Sequence, residues 1–348
     1  MKDFLNFEIE KLKEFDNHKL VVILNDTASK LRGFISIHRG AKSLPSFGAT
    51  RYWKYKSDVD ALIDSLKLSR NMSYKSALAG LKYGGAKAVI LNSAHHNKPK
   101  ILRSYAQRVN SLGGRFITGA DVGIDSKDLE VLASESDYIV GKKSDPAGLT
   151  SQGVFFSIQM SLRQVFGDSS IEGRTFAIQG VGKTGIQLLS LLYVQAGKVY
   201  VTDVDNSKLM YVKKRFPKVK IVRPWEIFNR RVDVFAPCAL SNSITKDNVA
   251  TLHCKIVVGS ANNQLEDISV GESLQKMDIL YAPDYVANAG GLIAVVDEFE
   301  NKNFNQERVE KKLKKVQKTL QTIFDKHKKT KKPTNIIANK MAENIFNN

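Results

Sequence analysis

Residues 175–185 read TFAIQGVGKTG, a short apolar run followed at once by three glycines in the spacing G-x-G-x-x-G. The run predicts a strand over 175–179, and the apolar periodicity beyond the glycines predicts a helix over 184–195. Such a turn brings helix N-terminal amides close to a bound pyrophosphate. The sequence therefore predicts a dinucleotide site formed by Gly180, Val181, Gly182, Lys183, Thr184 and Gly185.

The residues after this turn favour one dinucleotide over another. The next predicted strand, over 199–203, ends at Asp203. A carboxylate there can accept hydrogen bonds from both ribose hydroxyls of NAD, and it repels the additional phosphate of NADP. Lys183-Thr184 also resembles the end of an ATP-binding P-loop, but that motif needs a glycine at position 177, where the chain has Ala177. NAD is therefore the expected cofactor.

The second half of the chain predicts a parallel sheet. After a turn-rich segment over 141–148, short apolar runs alternate with helical patterns, which is typical of a doubly wound α/β domain. The predicted strands of this half lie at 175–179, 199–203, 219–222, 233–235, 255–258 and 279–281. We therefore expect a Rossmann-type NAD-binding domain over 141–326.

The first half of the chain carries its own α/β pattern. Its predicted elements are paired strands over 20–24 and 33–38, a helix from Asp58 towards Met72, a strand over 83–91, a helix over 100–112, a strand over 115–118 and a helix from Ser126. We expect a substrate and oligomerisation domain over 1–140, joined by the C-terminal residues 327–348. The predicted fold class is thus α/β with two domains and an active-site cleft between them.

Composition indicates the cellular compartment in which the protein is expected. The chain has 348 residues, of which 43% are hydrophobic and 25% charged, and no run approaches the length of a membrane span. Charged residues from Glu8 onwards argue against a secretory leader. The two cysteines, Cys238 and Cys254, lack partners at metal-ligand spacing. We therefore expect a cytoplasmic protein with reduced thiols, no metal and no membrane association.

The net charge of +18 raises nucleic acid as a partner. Residues 301–348 hold 13 Lys/Arg against 4 Asp/Glu, which accounts for half of the excess. Their spacing indicates the solvated face of a long helix, and no zinc-finger, RNP or helix-turn-helix pattern accompanies it. A nucleic-acid partner is therefore not expected.

Three polar residues are candidates for acid–base chemistry. Lys75 lies on the predicted helix, and Lys87 follows a glycine turn at the start of a buried strand. Burial in a cleft lowers the pKa of a lysine and makes it a usable base, although most lysines are solvated surface residues. Asp121 precedes Val122-Gly123, and its residue type alone favours a helix cap over a catalytic role. The residue types alone leave both interpretations open.

Six motifs in a fixed order favour the catalytic interpretation. They are MSYKSA at 72–77, GGAKAV at 84–89, TGADVG at 118–123, APCAL at 236–240, GSANNQ at 259–264, and APDY with NAGG within 282–291. In this order, over about residues 20–345, the chain resembles the Glu/Leu/Phe/Val dehydrogenase family. Within that family it is most similar to the leucine, valine, phenylalanine and tryptophan dehydrogenases.

The resemblance implies a reaction and a set of residues. The reaction would be the NAD-dependent oxidative deamination of an apolar L-amino acid to its 2-oxo acid and ammonia, and the reverse reductive amination, by a homo-oligomer. Lys75 would bind the substrate α-carboxylate, Lys87 would be the base that activates water, and Asp121 would move the amine proton. Thr150 and Asn262 would hold the nicotinamide carboxamide. The remaining implied cofactor contacts are Ala239 and Asn288.

The substrate side chain is less narrowly defined. Glutamate-specific members resemble Pro-x-Lys-Gly-Gly, but this chain has Phe47 at the lysine position, so a distal carboxylate would be buried without a partner. Gly119 and Leu292 match the phenylalanine and tryptophan types, whereas Phe47 and Ala49 could narrow the pocket again. The positions implied to line it are Phe47, Gly48, Gly119, Leu292 and Val295. Branched-chain and aromatic substrates both remain open.

A protein without activity is the alternative. Lys183 stands where the family usually has asparagine, the approach to Thr150 lacks the usual prolines, and the surface is lysine-rich rather than acidic. A catalytically silent NAD-binding protein, or a basic nucleic-acid-associated protein, could be built on the same scaffold. Such a protein would be free to lose Lys75, Lys87 or Asp121. All three are present, so we expect an active enzyme.

Overall fold

The computed structural model describes residues 8–40, 44–92, 97–239 and 241–347, the side chain of the last residue excepted. The chain divides into two compact units. The first unit contains the chain up to Ser144 together with Val295–Phe304, and the second contains Asp145–Ala294 and Asn305–Asn347. The predicted two-domain α/β class is confirmed, and each unit is described by itself below.

A six-stranded mixed sheet forms the centre of the first unit. The elements of this unit are β1 (Leu20–Asp26), β2 (Leu31–Arg39), β3 (Ser46–Phe47), β4 (Thr50–Trp53), α1 (Asp58–Leu78), β5 (Gly84–Leu91), α2 (Lys98–Ser111), β6 (Phe116–Ile117) and α3 (Ser126–Glu135). The strand order is β1-β2-β5-β3-β6, with β4 also paired to β5. The predicted pairing of the first two strands is confirmed as antiparallel, while β3 and β4 run parallel to β5.

The two faces of β5 carry different residues because side chains alternate along a strand. Ala86, Ala88 and Ile90 belong to the core that the sheet forms with α2 and α3. On the opposite face, Val89 packs with Leu62 and other apolar residues of α1. Lys87 is two residues from Val89 and therefore lies on the face that α1 covers. Burial of this lysine follows from its place in the strand.

The second unit is built on a parallel sheet. Its elements are α4 (Pro146–Phe166), β7 (Thr175–Gln179), α5 (Lys183–Tyr193), β8 (Lys198–Thr202), α6 (Asn206–Arg215), β9 (Lys220–Ile221), β10 (Val234–Pro237), β11 (Ile256–Val257), α7 (Ile268–Lys276), β12 (Leu280–Tyr281), α8 (Asp284–Ala287), the residues of α9 (Gly290–Asn301) that precede Val295, α10 (Gln306–Thr330) and α11 (Thr334–Asn347). The strand order is β12-β11-β10-β7-β8-β9. When the strands are numbered within this unit and read from β9, the order is 3-2-1-4-5-6, that of dinucleotide-binding domains, so the predicted doubly wound sheet is confirmed.

The C-terminal residues differ from the predicted division, which assigned 327–348 to the first domain. In the structure, Asn305–Asn347 belong to the second unit. The hydroxyl of Thr334 donates to the carbonyl oxygen of Tyr281 at 2.6 Å, and α11 buries Ala338 and Ala342. This helix, which the sequence did not predict, therefore docks beside β12. Conversely, Val295–Phe304 lie with the first unit rather than with the NAD-binding domain.

Two further predictions concern the linker and the lysine-rich helix. The predicted linker over 141–148 ends earlier, because α4 begins at Pro146 and is capped by Asp145, which accepts a hydrogen bond from the Gly148 amide at 2.9 Å. Helix α10 buries the predicted apolar stripe, which includes Val309, Leu313 and Leu320. Its lysines are mostly exposed, as expected for a solvated face.

Candidate active site

Lys87 and Asp121 form a buried ion pair in the first unit. The ammonium of Lys87 donates a hydrogen bond to Oδ2 of Asp121 at 2.6 Å. The two side chains are 5% and 15% exposed. Asp121 follows β6 in a loop, and its amide donates to the carbonyl oxygen of Thr50 on β4 at 3.1 Å. The sheet therefore fixes both members of the pair that the sequence singled out.

Three residues that the sequence motifs did not identify extend this pair. Arg51 on β4 donates from Nε to Oδ2 of Asp121 at 3.0 Å and from Nη1 to Asp64 at 2.9 Å. Asp64 lies on α1 and also accepts a hydrogen bond from the hydroxyl of Tyr55 at 2.6 Å. We call Lys87, Asp121, Arg51 and Asp64 the charge cluster. An arginine inside a short apolar strand was the available signal.

The charge cluster shifts proton affinities in a defined direction. Burial lowers the pKa of Lys87 and outweighs the attraction of Asp121, and the positive charge of Arg51 adds to the lowering. Burial alone would raise the pKa of Asp121, but Lys87 and Arg51 together hold that pKa well below its usual range. The pKa of Arg51 is raised despite burial, because Asp121 and Asp64 favour its charged form. Of the two cations in the cluster, Lys87 is therefore the one that gives up its proton more readily.

Lys75 is a second buried lysine of this unit, in the last turn of α1. The C-terminal half of α1 lies close to the start of β5 because Gly85 has no side chain. A Cβ on Gly85 would lie 1.9 Å from the backbone nitrogen of Ser73. The Ser73 hydroxyl accepts a hydrogen bond from the Gly85 amide at 3.1 Å. The glycine turn that the sequence singled out thus sets how α1, with Lys75, packs on the strand that carries Lys87.

Three of the residues expected to line the substrate side chain, Phe47, Gly48 and Gly119, are closely packed in the first unit. Phe47 is fully buried, and its ring packs against Tyr83 and Phe299, with centroid distances of 4.7 and 5.3 Å. A Cβ on Gly48 would lie 2.2 Å from the carbonyl oxygen of Ala86, and one on Gly119 would lie 2.9 Å from that of Val140. Phe47 therefore acts on the shape of this region through its packing with Tyr83 and Phe299, because its own ring is not exposed. Of the other two expected positions, Val295 is half-buried in the first unit and Leu292 is buried in the second.

Each of the three glycines of the fingerprint has a different environment in the second unit. Gly180 has φ +93°, and a Cβ there would lie 2.9 Å from Cα of Ala239. A Cβ on Gly185 would lie 2.0 Å from the carbonyl oxygen of Gly180, so this glycine lets α5 approach β7. At Gly182 no described protein atom lies within 4 Å of a Cβ position. The open space at Gly182, at the N-terminus of α5, is what the predicted pyrophosphate contact requires.

Asp203 lies beside this turn, at the end of β8. One of its carboxylate oxygens accepts a hydrogen bond from the Val181 amide at 2.8 Å, and the other accepts from the Asp205 amide at 2.9 Å. The ammonium of Lys208 is 3.7 Å from the second oxygen. The carboxylate is thus fixed at the edge of the glycine turn. Of the other two residues of the turn, Lys183 is exposed, and the Thr184 hydroxyl is 2.7 Å from that of Ser260.

Asn288 and Asn262 form a second polar group in this unit. The side-chain amide of Asn288 donates to Oδ1 of Asn262 at 3.1 Å and to the carbonyl oxygen of Ser260 at 3.2 Å. Its own Oδ1 is buried and has no hydrogen-bond partner among the described residues. A buried acceptor without a partner fits an incoming amide donor such as a carboxamide. The Thr150 hydroxyl, by contrast, already donates to the Pro146 carbonyl and accepts from the Gly291 amide.

The described residues form neither a metal cluster nor a membrane-spanning helix. Within the described ranges, no group of three His, Cys, Asp or Glu side chains could hold a metal ion. In that part of the chain, no helix has the length and apolar character that crossing a bilayer requires. Both cysteines are buried free thiols in the second unit.

Comparison with known proteins gave consistent matches. A family model described as "Glu/Leu/Phe/Val dehydrogenase, dimerisation domain" matches residues 18–144, and one described as "Glutamate/Leucine/Phenylalanine/Valine dehydrogenase" matches residues 211–345. The chain is 35% identical to the leucine dehydrogenase of Geobacillus stearothermophilus, covering 97% of this chain and 92% of the relative. It is 38% identical to the valine dehydrogenase of Streptomyces coelicolor, covering 94% and 91%. The crystal structure of L-tryptophan dehydrogenase from Nostoc punctiforme has a TM-score of 0.78 and 36% identity, covering 95% and 96%.

Proposed function

The chain belongs to the Glu/Leu/Phe/Val dehydrogenase family, and we propose that it catalyses the NAD-dependent oxidative deamination of an apolar L-amino acid and the reverse reductive amination. As an amino-acid dehydrogenase it is an oxidoreductase that acts on a CH–NH₂ group. The observation that carries the proposal is the buried pair of Lys87 and Asp121, in which the pKa of the lysine is lowered.

Each protein group has one task in this proposal. Lys75 pairs with the substrate α-carboxylate and orients Cα. NAD, held by the glycine turn and by Asn262 and Asn288, would supply the acceptor for the hydride that leaves Cα, so that the amine becomes an imine. Lys87, in its amine form, takes a proton from the water that attacks the imino carbon, and Asp121 carries a proton to the nitrogen, which leaves as ammonia. Amino acid, NAD⁺ and water thus give 2-oxo acid, ammonia, NADH and one proton.

The cofactor preference rests on Asp203. Its carboxylate is fixed by the Val181 and Asp205 amides at the edge of the glycine turn. There it can accept hydrogen bonds from the ribose hydroxyls of NAD, and it disfavours the phosphate of NADP. We therefore propose NAD as the cofactor. The orphan Oδ1 of Asn288 and its partner Asn262 are the groups proposed to hold the carboxamide.

We propose an apolar substrate side chain. The similar proteins are dehydrogenases of leucine, valine and tryptophan. Phe47, packed between Tyr83 and Phe299, supplies no cation for a distal carboxylate. Burial of that carboxylate without a partner would be costly. We therefore propose branched-chain or aromatic amino acids rather than glutamate.

The proposed setting is a homo-oligomer in the cytoplasm. The family model that matches residues 18–144 is described as a dimerisation domain, which supports self-association through the first unit. Two buried free thiols, Cys238 and Cys254, fit a reducing compartment. Sedimentation of the purified chain would give the number of subunits.

NADH formation tests the reaction directly. Leucine, valine, isoleucine, phenylalanine and tryptophan are each supplied with NAD, and glutamate serves as the charged comparison. We expect turnover with at least one apolar amino acid and little with glutamate. Replacing Lys87 by alanine should lower kcat by at least about a hundredfold while NAD still binds. Lys127→Ala, at an exposed position of the same unit, is the control. Absence of turnover with every apolar amino acid, by folded protein, would refute the proposal.

A further inference from the structure

We propose that Arg51 is a positioning residue of this active site, whose guanidinium bridges Asp121 to Asp64 and holds the Asp121 carboxylate against Lys87. The inference rests on the roles proposed above for Lys87 and Asp121. The contacts that carry it are ones that none of the six sequence motifs identified. It assigns a task to Arg51 and to Asp64 that goes beyond the implied catalytic set.

The geometry is that of a two-sided bridge. Arg51 uses Nε for Asp121, at 3.0 Å, and Nη1 for Asp64, at 2.9 Å. Two hydrogen bonds from one planar guanidinium fix its orientation, which a lysine with a single charged nitrogen would not achieve. The Tyr55 hydroxyl holds the Asp64 end at 2.6 Å. The side chain of Arg51 is 13% exposed, so water screens these contacts little.

The sheet explains why Arg51 reaches this place. Strands β4 and β5 are parallel neighbours, and Arg51 is paired with Val89 in their register. Side chains of paired residues point to the same face, so Arg51 shares with Lys87 the face that α1 covers. Asp64 approaches from α1, and Asp121 approaches from the loop whose amide is bonded to Thr50. Each member of the charge cluster therefore comes from a different element.

The chemistry gives Arg51 a task that Lys87 cannot perform for itself. Oδ2 of Asp121 accepts hydrogen bonds from both Lys87 and Arg51. Lys87 must alternate between ammonium and amine during the reaction. When it is an amine, a buried carboxylate without another cation would take up a proton. Arg51 remains protonated, so the resting Asp121 carboxylate stays in place and ionised in both states of Lys87, ready to take a proton from the substrate amine and return it later.

The charges on the two sides of the bridge act on Lys87 in opposite directions. Arg51 favours the amine form of Lys87, whereas Asp64, like Asp121, favours the ammonium form. These three charged groups come from β4, α1 and the Asp121 loop. Helix α1 also carries the buried Lys75. Strand β2 places the uncharged Ser36 beside Lys87. Removing Arg51 and removing Asp64 should therefore shift the ionisation of Lys87 in opposite directions.

The pH dependence of kcat for deamination tests this pair of effects. Activity rises with pH as Lys87 becomes an amine. In Arg51→Gln the rise should move to higher pH by about one unit, and in Asp64→Asn it should move to lower pH. Both variants should lower kcat more than they raise KM, because the proposed task of Arg51 and Asp64 is to position Asp121 and not to bind the substrate. Arg51→Lys keeps the charge but cannot bridge, so its pH profile should lie nearer the parent while kcat stays reduced.

A more exposed ion pair, which involves the first turn of α1, is the matched control. Arg32 pairs with Asp58 in the first turn of α1, and its side chain is 54% exposed. Arg32→Gln should leave both the pH profile and kcat as in the parent. Profiles of Arg51→Gln and Asp64→Asn that coincide with the parent, or move in the same direction, would overturn the proposal. If Arg51→Gln fails to fold, Asp64→Asn and Arg51→Lys decide the outcome in the same way.

A second measurement separates this proposal from the proposed function. Reductive methylation with formaldehyde modifies the amine form of lysine, and peptide mass spectrometry reports the rate at Lys87 as a function of pH. The Arg51→Gln and Asp64→Asn variants should shift this rate profile in opposite directions even if no amino acid is turned over. Absence of turnover by the parent with opposite shifts would refute the proposed function alone. Unshifted labelling profiles would refute the role of Arg51.

Discussion

The ammonium of Lys87 lies 2.6 Å from the carboxylate of Asp121, although the two residues are 34 positions apart in the chain. Strand β5 supplies the lysine, and a loop bonded to β4 supplies the aspartate. Removing one partner of a buried pair leaves the other charge without compensation. We therefore expect Asp121 to have two roles, one in the proposed chemistry and one in the stability of the first unit.

Asp121→Asn should lower kcat by at least about a hundredfold, because the proton carrier is lost. It should also lower the free energy of unfolding by about 3 kcal/mol near neutral pH, because Lys87 and Arg51 remain as two buried cations. The cost should shrink at higher pH as Lys87 becomes an amine. Steady-state kinetics and urea unfolding at two pH values measure both effects.

The double variant Asp121→Asn with Lys87→Met separates these roles. Removing one of the two buried cations should restore part of the stability and none of the activity. Activity within tenfold of the parent in Asp121→Asn would contradict the assignment of the proton carrier.

Sequence patterns predicted those parts of the fold that depend on residues close together in the chain. The glycine fingerprint, with its strand before and helix after, identified the parallel sheet of the second unit. The family resemblance drawn from six motifs is confirmed by family matches over 18–144 and 211–345. These features could be predicted from the sequence because each depends on residues that are close together in the chain.

Features that depend on partners far away in the chain could not be predicted in this way. Strand β3 has two residues and β4 has four, and their pairing partners in β5 come about forty residues later. Arg51 was missed because its role exists only once β4 lies beside β5 and α1. Likewise, 327–348 were assigned to the first domain, whereas Thr334 bonds to Tyr281 of the second unit. The predicted roles of Lys75, Lys87 and Asp121 stay predictions until the variants are measured.

His18 and His38 should make the protein sensitive to mild acid. Their rings are 4.8 Å apart and both are buried. Burial lowers the pKa of each to about 4, from 6.5, and the charge of His18 adds to the lowering at His38. Between those pH values the unfolded chain binds protons that the folded chain does not. The free energy of unfolding should therefore fall as pH drops from about 6.5 to 4, by on the order of 3 kcal/mol for one histidine.

Urea unfolding across this pH range measures the slope. His38→Gln should flatten it, since the replacement takes up no proton. His253→Gln, at an exposed position of the second unit, should leave the slope as in the parent. A parent protein equally stable at both ends of the range would contradict the prediction.

Asp203 should determine the choice between NAD and NADP. Asp203→Ser removes the acceptor for the ribose hydroxyls and the charge that opposes a phosphate. Loss of a hydrogen bond to a charged group should lower kcat/KM for NAD by about ten- to a hundredfold. The value for NADP should rise, helped by Lys208, which lies 3.7 Å from Asp203.

The neighbouring Asp205 offers a matched control. It caps α6 by accepting a hydrogen bond from the Ser207 amide at 2.9 Å. Asp205→Ser keeps a capping side chain and should keep the preference for NAD. An unchanged ratio of NAD to NADP efficiency in Asp203→Ser would show that another group sets the preference.

Gly182 and Gly185 should respond to the same substitution in opposite ways. At Gly182 the backbone is extended, with φ −71°, and no described protein atom lies within 4 Å of a Cβ. Gly182→Ala should therefore leave the free energy of unfolding unchanged or slightly higher, since alanine restricts the unfolded chain. A methyl group there occupies the space predicted for the pyrophosphate, so KM for NAD should rise at least about tenfold.

Gly185→Ala should instead destabilise the second unit. Its Cβ would lie 2.0 Å from the carbonyl oxygen of Gly180, and backbone atoms cannot rotate away. Overpacking of this kind lowers the free energy of unfolding by about 1 to 3 kcal/mol. Urea unfolding together with NAD titration distinguishes the two variants, because one keeps the fold and loses the cofactor while the other loses stability. A Gly182→Ala protein that binds NAD as tightly as the parent would mean that the dinucleotide does not lie against this turn.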